Sequence, residues 1–119
     1  MDFNKILESN QLYDIDSNIN KQNVNNEMSG ASLLYWNVYF DNLLIVKKLL
    51  EKGADPNQTD TYGRSPLEVG AYYGLFEVCK VLLGNGAKID EYCIRWAKHG
   101  WNEKCQSEVL KLLEEWQNK

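Results

Sequence analysis

The sequence predicts an all-α solenoid of stacked helix–turn–helix units, and three observations carry that prediction. First, Leu49-Leu50-Glu51-Lys52-Gly53-Ala54-Asp55-Pro56-Asn57 recurs as Leu82-Leu83-Gly84-Asn85-Gly86-Ala87-Lys88-Ile89-Asp90, an offset of 33 residues. The same gapless offset carries Gly30 onto Gly63, Ser32 onto Ser65, Leu34 onto Leu67 and Ile45-Val46 onto Val78-Cys79, and self-similarity at such a period marks a repeat array. Second, the helix punctuation is in place. Ser65 suits an N-cap, Pro66 suits the first helical position where its missing N–H costs nothing, and Gly86 suits the positive-φ residue that ends a helix. Third, Phe76, Val78-Cys79 and Leu82-Leu83 form an apolar stripe at helical spacing. Such a unit cannot bury its apolar faces alone and must stack on neighbours.

The segment from Asp60 resembles an ankyrin repeat. Gly63-x-Ser65-Pro66-Leu67 stands where that family has G-x-T-P-L. Gly70-Ala71 matches the small pair of the first helix, Gly74 the inter-helix turn, Val81-Leu82-Leu83 the second helix and Gly86-Ala87 the closing G-A-D. Glu68 departs from the pattern, because the family carries there a His that hydrogen-bonds within the loop. At 33 residues per unit the 119-residue chain amounts to about 3.6 units, two full repeats between two atypical caps.

Taken in order, the N-terminal cap (1–26) has Phe3, Ile6, Leu7, Leu12, Ile15 and Ile19 in a series compatible with two short helices. It ends on Asn23-Val24-Asn25-Asn26, which resembles the D-V-N-x exit of a repeat, and holds seven of the 13 asparagines, so polar loops are expected. The first repeat (27–59) keeps Gly30, Ser32, Leu34 and Gly53-Ala54-Asp55 but is degenerate. Leu33 replaces the proline, Asn37-Val38 the small pair and Asp41 the turn glycine, while Leu43–Leu50 retains a helical pattern. The second repeat (60–92) is the regular one. In the C-terminal cap (93–119) the loop motif is missing: Ile94, Trp96 and Ala97 open a helix directly and Gly100 turns the chain. Trp101–Gln106 exceeds a normal inter-helix turn, and Ser107–Trp116 reads as a final amphipathic helix.

Composition excludes several functions. Thirteen Lys+Arg against seventeen Asp+Glu give a net charge of −4, which argues against a generally basic nucleic-acid binder. The apolar runs fall short of the roughly 18–20 residues of a membrane span, and Met1-Asp2-Phe3-Asn4-Lys5 lacks the basic start and apolar run of a signal peptide. A cytoplasmic protein is expected, with no direct contact to nucleic acid or membrane. Cys79, Cys93 and Cys105 are odd in number, and without a C-x-x-C pair they read as reduced structural thiols, not a metal or redox site. His99 precedes Gly100 at a helix end and has no partner at a spacing that would make it a base. With no phosphate-cradling or metalloprotease motif, the expectation is a non-enzyme without catalytic residues, metal or cofactor. A turnover abolished by His99→Ala or Cys→Ser would contradict it.

What the resemblance implies for function is a concave binding face of loop tips and first helices. Its loop positions here are Met28, Ser29 and Ala31, then Thr61, Tyr62 and Arg64; its positions before the turn are Tyr39-Phe40 and Tyr72-Tyr73, all four aromatic. Tyr92 and Trp101 extend the stripe. Aromatic stripes at helical spacing are usually core, but here Leu34, Trp36, Val38, Leu67, Val69 and Ala71 are expected to fill that role. Aromatics on a solvent-facing stripe resemble binding anchors. Charge is uneven as well: residues 1–46 carry six acids and two bases, whereas 47–119 carry eleven of each. The expected function is stoichiometric protein binding, most specifically an immunity protein that neutralises a cognate bacterial toxin, its partner a basic domain such as a nuclease. An ankyrin scaffold or host-directed interaction module is the alternative.

Overall fold

A computed structural model describes residues 17–119. The expected N-terminal helices around Phe3, Ile6, Leu7, Leu12 and Ile15 lie outside the described residues, whereas Ile19 is within them and buried. The described residues form a two-stranded antiparallel ribbon, β1 (Glu27–Met28) with β2 (Ala31–Ser32), and six helices. These are α1 (Leu33–Tyr39), α2 (Leu43–Glu51), α3 (Pro66–Tyr73), α4 (Phe76–Gly84), α5 (Glu91–Lys98) and α6 (Ser107–Gln117). The fold is the expected ankyrin solenoid. Among the described residues a short ribbon, closed by Ser29 and Gly30 at φ 53° and 85°, is added to the helical array.

Local chemistry repeats with the sequence. Ser32 Oγ accepts the Tyr35 N–H and Ser65 Oγ accepts the Glu68 N–H, both at 3.1 Å. One repeat hands over to the next by asparagine: Asn25 Oδ1 accepts the Asp55 N–H and Asn57 Oδ1 accepts the Lys88 N–H, both at 2.8 Å. The turn after α3 takes Gly74 at φ 71°. After α1 the same turn uses Asp41 at φ 56°, since Asp is among the few side chains that tolerate this region.

The helices form two layers. The inner helices α1, α3 and α5 pack side by side, as do the outer helices α4 with α2 and α6. Leu34, Val38, Val46, Leu49, Leu67, Ala71, Val78, Leu82, Ala97 and Leu113 lie between the layers, all essentially without exposure. One position expected to be degenerate, and the inserted segment, have structural duties. Asn37, which replaces Gly70 in the first repeat, is buried; its Nδ2 donates to Leu33 O (3.0 Å) and its Oδ1 accepts from Asn42 Nδ2 (3.2 Å). The inserted segment is tied to the repeats: Trp101 N donates to Tyr72 O (3.0 Å) and Gln106 N to Ala97 O (2.6 Å). A Cβ on Gly100 would come within 2.8 Å of that same Tyr72 carbonyl.

Gly70 sets the approach of α3 to α4, because a Cβ there would stand 2.7 Å from Cys79 Sγ. Gly70→Ala is therefore expected to destabilise the fold by about 1–3 kcal/mol through overpacking, despite alanine's better helix propensity. Cys79→Ala in the same chain should recover more than about 1 kcal/mol of that loss in a denaturation double-mutant cycle. Additive costs would show that the α3–α4 contact does not depend on this pair.

Candidate functional site

The last turns of the inner helices bring the expected aromatics together. Ring centroids run from Phe40 to Trp36 (6.5 Å), Trp36 to Tyr39 (5.8 Å), Tyr39 to Tyr73 (5.6 Å), Tyr73 to Tyr72 (4.9 Å) and Tyr72 to Trp96 (5.4 Å). All but the first are edge-to-face, the arrangement that ring quadrupoles favour. The ladder thus crosses α1, α3 and α5. It borders an open groove of about 360 Å³ lined by Tyr35, Trp36, Tyr39, Arg64, Glu68, Val69, Tyr72, Tyr73 and Trp96.

The structure corrects the expectation at Trp36. It is not core: it is half-buried and lines the groove, its Nε1 donating to Met28 O (2.7 Å), while Leu33 and Tyr35 are the additional buried side chains of α1. Tyr72 and Tyr73 are half-buried, not fully solvent-facing, whereas Tyr39 and Phe40 are nearly half exposed. Ser29, Thr61, Tyr62 and Arg64 gather at a smaller neighbouring hollow. There the Thr61 backbone N–H donates to Gly30 O (2.8 Å) and ties the two loop tips together. Met28 serves through its backbone carbonyl. Tyr92 and Trp101 are exposed but outside the residues lining the groove, and Tyr92 lies instead beneath Arg95, 5.4 Å from its ring centre.

Asp60 organises the loop. Its Oδ1 accepts the backbone N–H of Tyr62 and of Arg64 (both 2.9 Å), and its Oδ2 accepts the Tyr35 hydroxyl (2.8 Å) and Arg64 Nε (3.0 Å). Burial alone would push its carboxyl up. The bonds from the Arg64 backbone, the Tyr35 hydroxyl, the Tyr62 backbone and the Arg64 side chain hold it below the usual carboxylate range. Burial, followed by the Asp60 hydrogen bond, raises Tyr35 well above an ordinary tyrosine. Arg64, so tethered, stacks over the exposed Tyr62 ring at 5.2 Å.

Glu68 is the residue that sequence reasoning undervalued. It is 5% exposed at the floor of the groove, where the Ser65 backbone favours its charged form. The Ser65 hydroxyl accepts the Glu68 N–H, so the serine and glutamate stand in the spacing of a capping box at the start of α3. The serine and glutamate three apart were the legible signal for it. Burial and then the Asp90 carboxylate raise its pKa to about 6. A raised folded-state value means that this group's contribution to stability is complete below about pH 4.5 and is lost as pH rises through 6. Glu68→Gln is accordingly expected to be the more stable protein at pH 7, by on the order of 1 kcal/mol after solvent screening. Its advantage should vanish near pH 4.5, read by urea denaturation at both values; a constant difference would refute the assignment.

Among the described residues no cluster of His, Cys, Asp and Glu is placed to hold a metal ion, and no helix is long and apolar enough to cross a membrane. Cys79 and Cys93 are buried thiols pushed up to about 12 by burial, and Cys105 is exposed.

A family model described as ankyrin repeats, in three copies, matches residues 4–93. NF-kappa-B inhibitor delta of Mus musculus is 49% identical over 47 residues, covering 40% of this chain and 14% of that protein. The ankyrin repeat protein YahD of Escherichia coli is 46% identical over 43 residues, covering 36% and 21%. An ankyrin repeat protein of Rickettsia felis is 38% identical over 88 residues, covering 66% and 37%. The chain thus spans between 14% and 37% of the length of these relatives.

Proposed function

Because the chain belongs to the ankyrin-repeat family, whose repeats are protein–protein interaction modules, we propose that it binds a partner protein stoichiometrically through the aromatic groove. The observation that carries this reading is the unbroken ladder from Phe40 to Trp96, which leaves a groove open to solvent across all three inner helices. Tyrosine and tryptophan supply large contact areas with few rotamers to freeze, which is why they dominate binding hot spots. Neighbouring rings also hold one another in place, so little order remains to be imposed on binding.

More narrowly, the module acts in the cytoplasm as an inhibitor that occludes a basic toxin domain, for example a nuclease. Two features support this. Glu68 and Asp90 place carboxylates at and behind the groove, and the net charge of the chain is concentrated in residues 1–46. Opposite charge speeds encounter and disfavours wrong partners. One relative, NF-kappa-B inhibitor delta, is by its name a protein inhibitor. The test is co-expression with a toxin encoded beside the gene. The expected result is loss of toxicity together with a stable 1:1 complex. Undiminished toxicity without complex formation would sink the immunity reading. The scaffold alternative draws support from the greater length of the relatives, of which this chain matches a part.

A further inference from the structure

We propose that the aromatic groove receives the ammonium group of a partner's lysine side chain, with the rings enclosing its methylene stem and Glu68 supplying the counter-charge. This rests on the groove being the partner face, and it assigns the chemistry of the residue that enters.

The walls of the groove include Trp36 and Trp96 at its two ends, with Tyr39, Tyr72 and Tyr73 between them. Ring faces are negative, and a cation enclosed by several of them is attracted more strongly where water is excluded. Lysine suits such a site because its long apolar stem packs against rings while the charge reaches a polar floor.

The floor is acidic. Glu68 is buried there, and the charged groups acting most strongly on it are two further carboxylates, Asp90 and Asp60. Asp90 heads α5, where its Oδ1 accepts the N–H groups of Tyr92 and Cys93. Arg64 also lines the groove, but it is held by Asp60 at 3.0 Å and stacked on Tyr62. That pair is internally neutralised, so the Glu68–Asp90 charge is what an entering group meets. Burial, and after it the neighbouring Asp90 carboxylate, raise the pKa of Glu68 to about 6. An ammonium group would relieve this repulsion. A partner's carboxylate or phosphate would worsen it, and a neutral apolar side chain would cover Glu68 without compensation.

The test uses small probes on the isotopically labelled chain at pH 7.5: Nα-acetyl-lysine methylamide and its norleucine and glutamate counterparts. The readouts are the indole N–H resonances of Trp36 and Trp96, with Trp101 and Trp116, which do not line the groove, as internal references. The lysine probe should shift Trp36 and Trp96 saturably, and norleucine should bind about tenfold more weakly. Glutamate should leave both resonances in place. Lowering the pH to 5 should weaken lysine binding by about tenfold, as Glu68 takes up a proton in the face of Asp90 and Asp60. Glu68→Gln should erase the preference for lysine over norleucine; glutamine keeps the side chain's size and an acceptor oxygen without the charge.

Equal binding of lysine and norleucine, survival of the preference in Glu68→Gln, or unmoved indoles would each overturn the proposal. Its failure is separable from that of the partner-face reading. If the lysine probe is rejected while Tyr39→Ala with Tyr73→Ala still abolishes the partner complex, only the lysine assignment falls. If the complex ignores the tyrosine pair, the partner-face reading falls.

Discussion

Tyr39→Ala combined with Tyr73→Ala should weaken partner binding by about a thousandfold, at about 2 kcal/mol for each anchor lost. The two rings meet edge-to-face at 5.6 Å across the boundary between repeats. They therefore join the α1 half of the ladder to the α3 half. Losing one leaves a gap that its neighbour narrows, whereas losing both divides the groove. The fold should tolerate the change: Tyr39 is 45% exposed, and neither ring belongs to the buried core. Calorimetric titration against the partner, with circular dichroism as the control, checks both halves of the expectation. Wild-type affinity in the double variant would reject the groove as the binding face.

Asp60→Ala has the largest expected effect on stability, a loss of about 3 kcal/mol. Four hydrogen bonds end on this one carboxylate, one of them from the guanidinium of Arg64. Removing it leaves the hydroxyl of Tyr35, a residue only 5% exposed, without its acceptor, and frees the loop that presents Tyr62 and Arg64. Asp60→Asn should cost less, since an amide oxygen still accepts, though it cannot pair with the charge of Arg64. Because the folded carboxyl lies below its unfolded value, its contribution is present above the unfolded pKa and lost as pH falls through the depressed one. The wild-type advantage over Asp60→Ala should accordingly shrink in acid, read from urea midpoints at pH 7 and pH 3. A pH-independent difference would contradict the bonding described for Asp60.

The repeat architecture was legible because its determinants are local. Ser32 and Ser65 cap helices with their own hydroxyls, Pro66 starts one, and Gly53 and Gly86 occupy φ values of 97° and 96°. Each is a short-range preference that a sequence displays openly. Most of the ladder was legible for a related reason, since Tyr39-Phe40 and Tyr72-Tyr73 occupy the same register 33 residues apart. Trp36 was not, because α1 is a seven-residue helix rich in apolar residues around its whole circumference. Periodicity in so short an element does not separate the side facing α2 from the side facing the groove.

Trp96 eluded the sequence for the opposite reason. Loss of the loop before α5 removes the 33-residue register, so its place at the end of the ladder depends on how α5 packs against α3. The inserted Trp101–Gln106 segment is likewise defined by a contact distant in sequence, the Tyr72 carbonyl.

By itself the sequence determined the solenoid, its period and its helix ends, since capping, turn glycines and apolar spacing act over a few residues. The tertiary structure alone decided that Trp36 and Trp96 join the tyrosines and that Asp60 holds Tyr35 and Arg64. It also decided that Glu68 lies buried beside another carboxylate at the groove floor. Those outcomes follow from packing between repeats, where burial and neighbouring charge are set by residues far apart in the chain.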